Sequence, residues 1–263
     1  MTQQDEANAK AAELPFPTIN NIRATSPFGW FARAWSDLRA CPIPSLFYGF
    51  CFAGMGLLIT FVFEHAYEYT SGLTSGFLLL GPFLAMGLYE ISRRRELGQS
   101  CKLAPTMVVW KRNAGNIGVF AVVLGVVFLV WARASLVVFA LFYNNEMPNL
   151  SGFLEQIIKL ENIEFLTVYF IIGLIFATIA FGVSVVSIPL MLDRNQDAVT
   201  AMLASAGALI RNPFTMMAWA VSIVVMTVIG FLTFHIGLVI VMPLVGHASW
   251  HAYRDLIAPL PGQ

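Results

Sequence analysis

The chain has 263 residues, 58% of them hydrophobic and 11% charged, with zero formal net charge and a mean hydropathy of +0.73. A soluble domain carries about 25% charged residues. The polar surface here is too small to cover a globule in water, so most of the exterior must face lipid. Zero net charge also argues against a nucleic-acid binder, which shows a basic excess.

Residues 1–25 are polar, hold Asp5, Glu6 and Glu13, and lack an apolar core. They read as neither a signal nor a transit peptide; a disordered cytoplasmic tail is expected. Ser26-Pro27 is a helix-start signal. Over residues 26–41, Phe28, Phe31, Trp35 and Leu38 share one face, with Arg33, Asp37 and Arg39 on the polar side. This pattern predicts an amphipathic helix lying on the membrane surface.

A spanning helix needs about 20 mostly apolar residues. Six such stretches are expected within a transmembrane domain at 45–257: 45–63, 73–92, 113–133, 165–192, 213–233 and 236–255. The last two are fused in one apolar run from Phe214 to Tyr253. A helix that long would measure about 60 Å, twice the hydrocarbon thickness, so the run must fold back around Thr233-Phe234-His235. Phe153, Leu154 and Ile157 alternate with Glu155 and Lys159, predicting an outer interfacial helix at about 150–163. A third, weaker amphipathic piece spans Asp197 to Ile210.

Charge sets the orientation. With both termini inside, thirteen of the fifteen Lys and Arg residues fall on one side, and only Arg133 and Lys159 do not. The positive-inside rule then predicts cytoplasmic N- and C-termini. Arg133 is expected to mark the outer interface of the third span by snorkelling, with Ala134 to Phe142 continuing at an angle. Cys41, Cys51 and Cys101 have no CxxC spacing and read as reduced thiols on the cytoplasmic side.

One pattern recurs. Pro82 is followed by Tyr89 and Arg93, and Pro243 by Trp250 and Arg254, at the same spacing. Pro189 is followed by Arg194 at a shorter interval and without the aromatic residue. The recurrence predicts an all-α polytopic fold of three pseudo-repeated hairpins, with Pro82 equivalent to Pro243 and Tyr89 to Trp250. The prolines act as structural kinks, freeing the carbonyls of Leu78, Val185 and Val239, which must face neighbouring helices rather than lipid. Tyr89, Arg93, Arg194, Trp250 and Arg254 are expected as cytoplasmic anchors.

Candidate chemistry is sparse. His247 and His251 are four apart and share a helix face, but two ligands fall short of a zinc site. His65 and His235 lie at the outer ends of two spans, where paired histidines could bracket a haem. Glu90 precedes Arg93 and Arg94 by three and four residues, the spacing of a local ion pair. A metal site is not expected, no bound cofactor is assigned, and no catalytic constellation is recognisable.

The strings Gly81-Pro-Phe-Leu-Ala-Met-Gly-Leu-Tyr-Glu-Ile-Ser-Arg93, Ser187-Ile-Pro-Leu-Met-Leu-Asp-Arg194, Asn212-Pro213 and Gly246-His-Ala-Ser-Trp-His-Ala-Tyr-Arg254 resemble DUF2189, a bacterial family of integral membrane proteins without an established activity. The resemblance implies a multi-pass protein of the bacterial inner membrane. Some members carry a cytochrome c oxidase subunit label, which implies at most an accessory or assembly role, since four histidines cannot ligate the metals of a catalytic oxidase subunit. The expected function is therefore a non-catalytic accessory, assembly or scaffold component of a membrane complex, a respiratory one included, with the bilayer and other membrane-protein subunits as partners and no nucleic acid. Two alternatives stay open: a small-molecule transporter or channel built from parallel hairpins, and a haem- or metal-binding membrane protein.

Overall fold

The computed structural model describes residues 16–65, 70–142 and 162–260. In chain order their helices are α1 (Ser26–Ala40), α2 (Pro42–His65), α3 (Thr70–Glu96), a short α4 (Leu103–Met107) followed by a 3-10 turn (Val109–Asn113), α5 (Ala114–Phe142), α6 (Ile163–Ser184), α7 (Ser187–Arg194), α8 (Ala198–Arg211), α9 (Pro213–Leu232) and α10 (Leu238–Leu256). The outer interfacial helix expected at 150–163 lies outside the described residues except for its last two positions.

Four stretches among these residues are long and apolar enough to cross a membrane: Pro42–Val62, Val109–Phe142, Ile163–Arg194 and Pro213–Leu232. Among the described residues the regular elements are all helices, and the apolar stretches embed the chain in a membrane. α3 and α10, the other two expected spans, are diluted by charge at their ends. α3 finishes on Glu90, Arg93, Arg94, Arg95 and Glu96, and α10 carries His247, His251, Arg254 and Asp255.

The chain divides into two compact units. The smaller, 121–182, has a core of Val138, Phe165 and Leu166 packed by Phe139, Phe142, Tyr169 and Ile172. Its rings meet at tilted angles, Phe139 on Phe165 at 5.0 Å between centroids and Phe165 on Tyr169 at 5.6 Å, the separations at which aromatic quadrupoles attract. Arg133 does not end a helix here. Ala134 to Phe142 contain no breaker, and α5 runs through Arg133 without interruption.

The larger unit is built on α1, α2, α3 and α10. Its fully buried side chains include Trp30 from α1, Met86, Leu88 and Ile91 from α3, and Trp250 and Tyr253 from α10. Close approach of backbones makes this possible. Pro243 lies inside α10 and cannot donate to the carbonyl of Val239, four residues back. That carbonyl faces α2 at Gly49, where a Cβ would collide with the Val239 oxygen. The kink and the glycine are complementary: the freed carbonyl points into a neighbouring helix, as a low-dielectric surrounding demands.

Pro189 behaves differently from the expected kink. α6 stops at Ser184 and a new helix, α7, starts at Ser187, so Pro189 sits in a first turn where its missing N–H costs nothing. Ser187 and Ser205 repair the break. The Ser187 hydroxyl reaches the carbonyls of Val183 and Ala201 and gives its one proton to either, and the amide of Val186 donates to the Ser205 hydroxyl.

The tail expected to be disordered up to residue 25 is ordered in its last part. Ile19 bridges Ile257, the amide of Asn20 donates to the Leu256 carbonyl at 2.8 Å, and the amide of Ala258 donates to that of Thr18 at 2.9 Å. Asn212, at the junction of α8 and α9, accepts from the Ile22 amide at 2.9 Å and donates to the Asn20 carbonyl at 3.0 Å. Short polar residues that looked unstructured by composition are held by backbone pairing that composition does not report.

The cysteines also need correction. Cys41 and Cys101, expected as free thiols, form a disulfide with 5.8 Å between their Cα atoms, and Cys51 is free. Sixty residues of separation hid the pairing.

Gly49→Ala tests the α2–α10 contact. Overpacking of this kind costs about 1–3 kcal/mol, so the thermal midpoint in detergent falls. Gly54→Ala in the same helix, where a Cβ meets nothing within 4 Å, leaves the midpoint unchanged.

Candidate functional site

The polar side chains of the larger unit gather where α1, α2, α3 and α10 meet. Asp37 is the centre. Residues Trp30, Ala34, Asp37 and Leu38 recur at helical spacing and all are buried, so the face of α1 that meets the protein carries the carboxylate. The sequence pattern placed Asp37 on the solvated side with Arg33 and Arg39. Its seven-residue offset from Trp30, two helical turns, was the signal for the opposite face.

A buried carboxylate needs partners, and Asp37 has three. The Ser92 hydroxyl donates to Oδ2, His251 Nε2 lies 2.9 Å from the same oxygen, and the Arg95 guanidinium donates to Oδ1. Burial works against the charge, but the hydrogen bonds from His251 and Ser92 hold the Asp37 carboxyl down at about 2 from an ordinary 3.8.

The donor order beyond Asp37 follows from stoichiometry. Ser92 gives its one proton to the carboxylate, so its oxygen accepts from His247 Nδ1–H, 2.8 Å away. The other nitrogen of a neutral ring is then an acceptor, and Ser45 donates to His247 Nε2 at 2.9 Å. Ser45, His247, Ser92 and Asp37 thus form one chain of bonds from α2 through α10 and α3 to α1. The assignment rests on this network rather than on observed hydrogens. A hydroxyl, a tautomer-locked imidazole and a terminal carboxylate are the parts of a proton relay. Here Ser45, Ser92 and His247 are fully buried, so in this form the chain joins four helices.

A second cluster adjoins it. Glu90 is 1% exposed and is held by the bidentate guanidinium of Arg112 at 2.8 and 2.9 Å. The local partners expected from spacing, Arg93 and Arg94, stand farther off at 3.5 and 3.8 Å. Asp193 receives Arg93 Nε at 3.2 Å and the Tyr253 hydroxyl at 2.7 Å, and Glu96 receives Arg254 at 3.3 Å. Arg194 donates to the Ala258 carbonyl. Of the arginines expected as anchors, Arg93 and Arg254 pair between helices and Arg194 binds the backbone just after α10.

Trp250 is not at an interface. It is 1% exposed and packs on Tyr253 at 5.3 Å. Tyr89 is partly buried and bonds to Ser249. His247 and His251 share their face as expected, and Asp37 bridges them through Ser92. His251 Nδ1 is buried without a hydrogen-bond partner, with Glu96 Oε1 at 3.8 Å. His65 and His235 are placed elsewhere: His65 Nδ1–H donates to the Phe61 carbonyl at 2.9 Å, and His235 Nε2 lies 3.2 Å from the Thr60 hydroxyl. Among the described residues no three His, Cys, Asp or Glu side chains converge as metal ligands.

Residues 70–193 match the model of the family described as "Predicted integral membrane protein (DUF2189)". With the four apolar helices, the match identifies an integral membrane protein. The matched segment contains Glu90, Arg93, Arg112 and Asp193; Asp37, His247 and His251 lie outside it. No curated protein and no solved structure matches the chain.

Two measurements probe Asp37. Its folded pKa is depressed, so its contribution to stability is complete above about pH 4 and is lost as pH falls toward about 2; acid unfolding of the wild type has a component in that window. Asp37→Asn removes the component and costs roughly 2–3 kcal/mol at neutral pH, discounted from the ~3–5 of a fully buried pair because Arg95 is 35% exposed. Thermal midpoints of both proteins between pH 2 and 7 check the two expectations.

Proposed function

We propose that the protein is a non-catalytic accessory or scaffold component of a membrane complex, crossing the bacterial inner membrane six times as three hairpins with both termini in the cytoplasm. α3 has 27 residues and α10 has 19, lengths of about 40 and 29 Å, so each can span a hydrocarbon core of about 30 Å.

The observation that carries the reading is Arg133. On α5, Val122, Val126 and Leu129 before it and Leu136, Val137 and Leu141 after it are exposed, at the spacing of one helical stripe. The whole Val109–Phe142 stretch buries only 6% of its most apolar window. Arg133 is exposed within that stripe and makes no ion pair with the described residues. A cation flanked along a helix by apolar surface on both sides is costly in lipid. A partner helix that covers the stripe and supplies a carboxylate or carbonyl oxygen removes the cost. A respiratory assembly is one setting for such a partner.

Purification from native membranes in mild detergent, followed by mass spectrometry, tests the proposal. The expected result is a second membrane protein at near-stoichiometric yield. Truncating one member of a buried charge pair costs roughly 2–5 kcal/mol, so Arg133→Gln reduces its recovery at least about tenfold. Recovery of the chain alone counts against the proposal, as does undiminished recovery with the variant.

A further inference from the structure

The segment from Leu103 to Asn113 is a platform with two faces. One face is pinned to the protein. Thr106 is buried and bonds to the Tyr48 hydroxyl at 2.8 Å, Val109 is 3% exposed, and Asn113 donates to the carbonyls of Met191 at 3.2 Å and Gln196 at 2.8 Å. The opposite face presents Met107, Val108 and Trp110, which are 52%, 48% and 40% exposed. Three large apolar side chains held outward by a rigid backbone are the arrangement of a segment resting in the membrane interface.

Cationic charge lies at the edge of this patch and exceeds its carboxylates. Arg112 and Arg94 both turn to the single buried carboxylate of Glu90, while the third arginine, Arg93, is shared with Asp193. One positive charge is therefore left over around Glu90. Lys111 adds a second: its ammonium lies 5.8 Å from the Trp110 ring centroid, and it makes no ion pair with the described residues. Arg112 remains 43% exposed while bound to Glu90, so its outer N–H groups are open to another acceptor. Exposed aromatic and apolar side chains, with guanidinium and ammonium donors beside them, match the two parts of a phospholipid.

We infer that Lys111, Arg112 and Arg94, seated beside the Met107–Val108–Trp110 patch, bind the phosphodiester of an anionic phospholipid. The headgroup must be net negative, because a zwitterionic lipid supplies its own cation and leaves the surplus unbalanced. This site is independent of the partner surface proposed on α5.

Native mass spectrometry of the full chain in mild detergent, titrated with phosphatidylglycerol and separately with phosphatidylcholine, tests the inference. Phosphatidylglycerol binds at least about fivefold more tightly, and Lys111→Gln removes about that factor, the contribution of one cation near an anionic surface. Lys111 lies outside the Glu90 cluster, so this variant keeps the wild-type thermal midpoint. Arg112→Gln lowers affinity further, and Arg39→Gln on α1 leaves it unchanged. Equal affinity for the two lipids overturns the inference, and so does an equal loss with Arg39→Gln. Full displacement of phosphatidylglycerol by millimolar inorganic phosphate assigns the site to a free anion and overturns the lipid assignment.

Discussion

The larger unit depends on one buried carboxylate. Without partners, Asp37 would be among the most costly groups the chain could place between helices. Its three partners come from α3 and α10, and the hydrogen-bond chain beyond Ser92 brings in α2 through Ser45. Apolar packing alone leaves helices free to slide and rotate against one another, because dispersion is nearly direction-independent. A carboxylate with fixed lone-pair directions has no such freedom. The depth of α1 against α10, the rotation of α10 and the tautomer of His247 all follow from satisfying it.

Much of the fold was legible in the sequence because helices in lipid are dictated by local content. Runs of apolar residues marked the four stretches long and apolar enough to span and the reversal between α9 and α10, where the structure has a turn at residues 233–237. The site was less legible. Asp37 is one acidic residue in an amphipathic helix with arginines nearby, and the hydrophobic pattern can be drawn with two different faces. Only α10 decides between them, and it lies 214 residues downstream of Asp37. Glu90 shows the same limit: the local pairing with Arg93 and Arg94 exists, yet the best geometry belongs to Arg112, whose approach depends on the turn after α4. Trp250 looked like an interfacial anchor from the company it keeps in sequence, and tertiary packing made it core.

Pro189 and Pro243 separate two uses of one residue. Both remove a backbone donor. In α10 the helix continues and the freed carbonyl finds Gly49. Between α6 and α7 the helix breaks, and serines take up the loose ends. The difference lies in what each proline has beside it, a glycine that permits close approach or hydroxyls that replace the lost bond. A motif that lists prolines alone cannot distinguish the two.

The span from Asp37 to His251 also has a consequence for biogenesis. During synthesis, α1 leaves the ribosome long before α10 exists, and Ser92 and Arg95 follow only with α3. Asp37 must therefore stay hydrated until α3 and α10 have been made. Its burial, together with the pairing of residues 18–20 to 256–258, can be completed only when α10 has been made. The junction is closed only by α10, and a nascent chain arrested before it leaves Asp37 without His251 and residues 18–20 without their backbone partners.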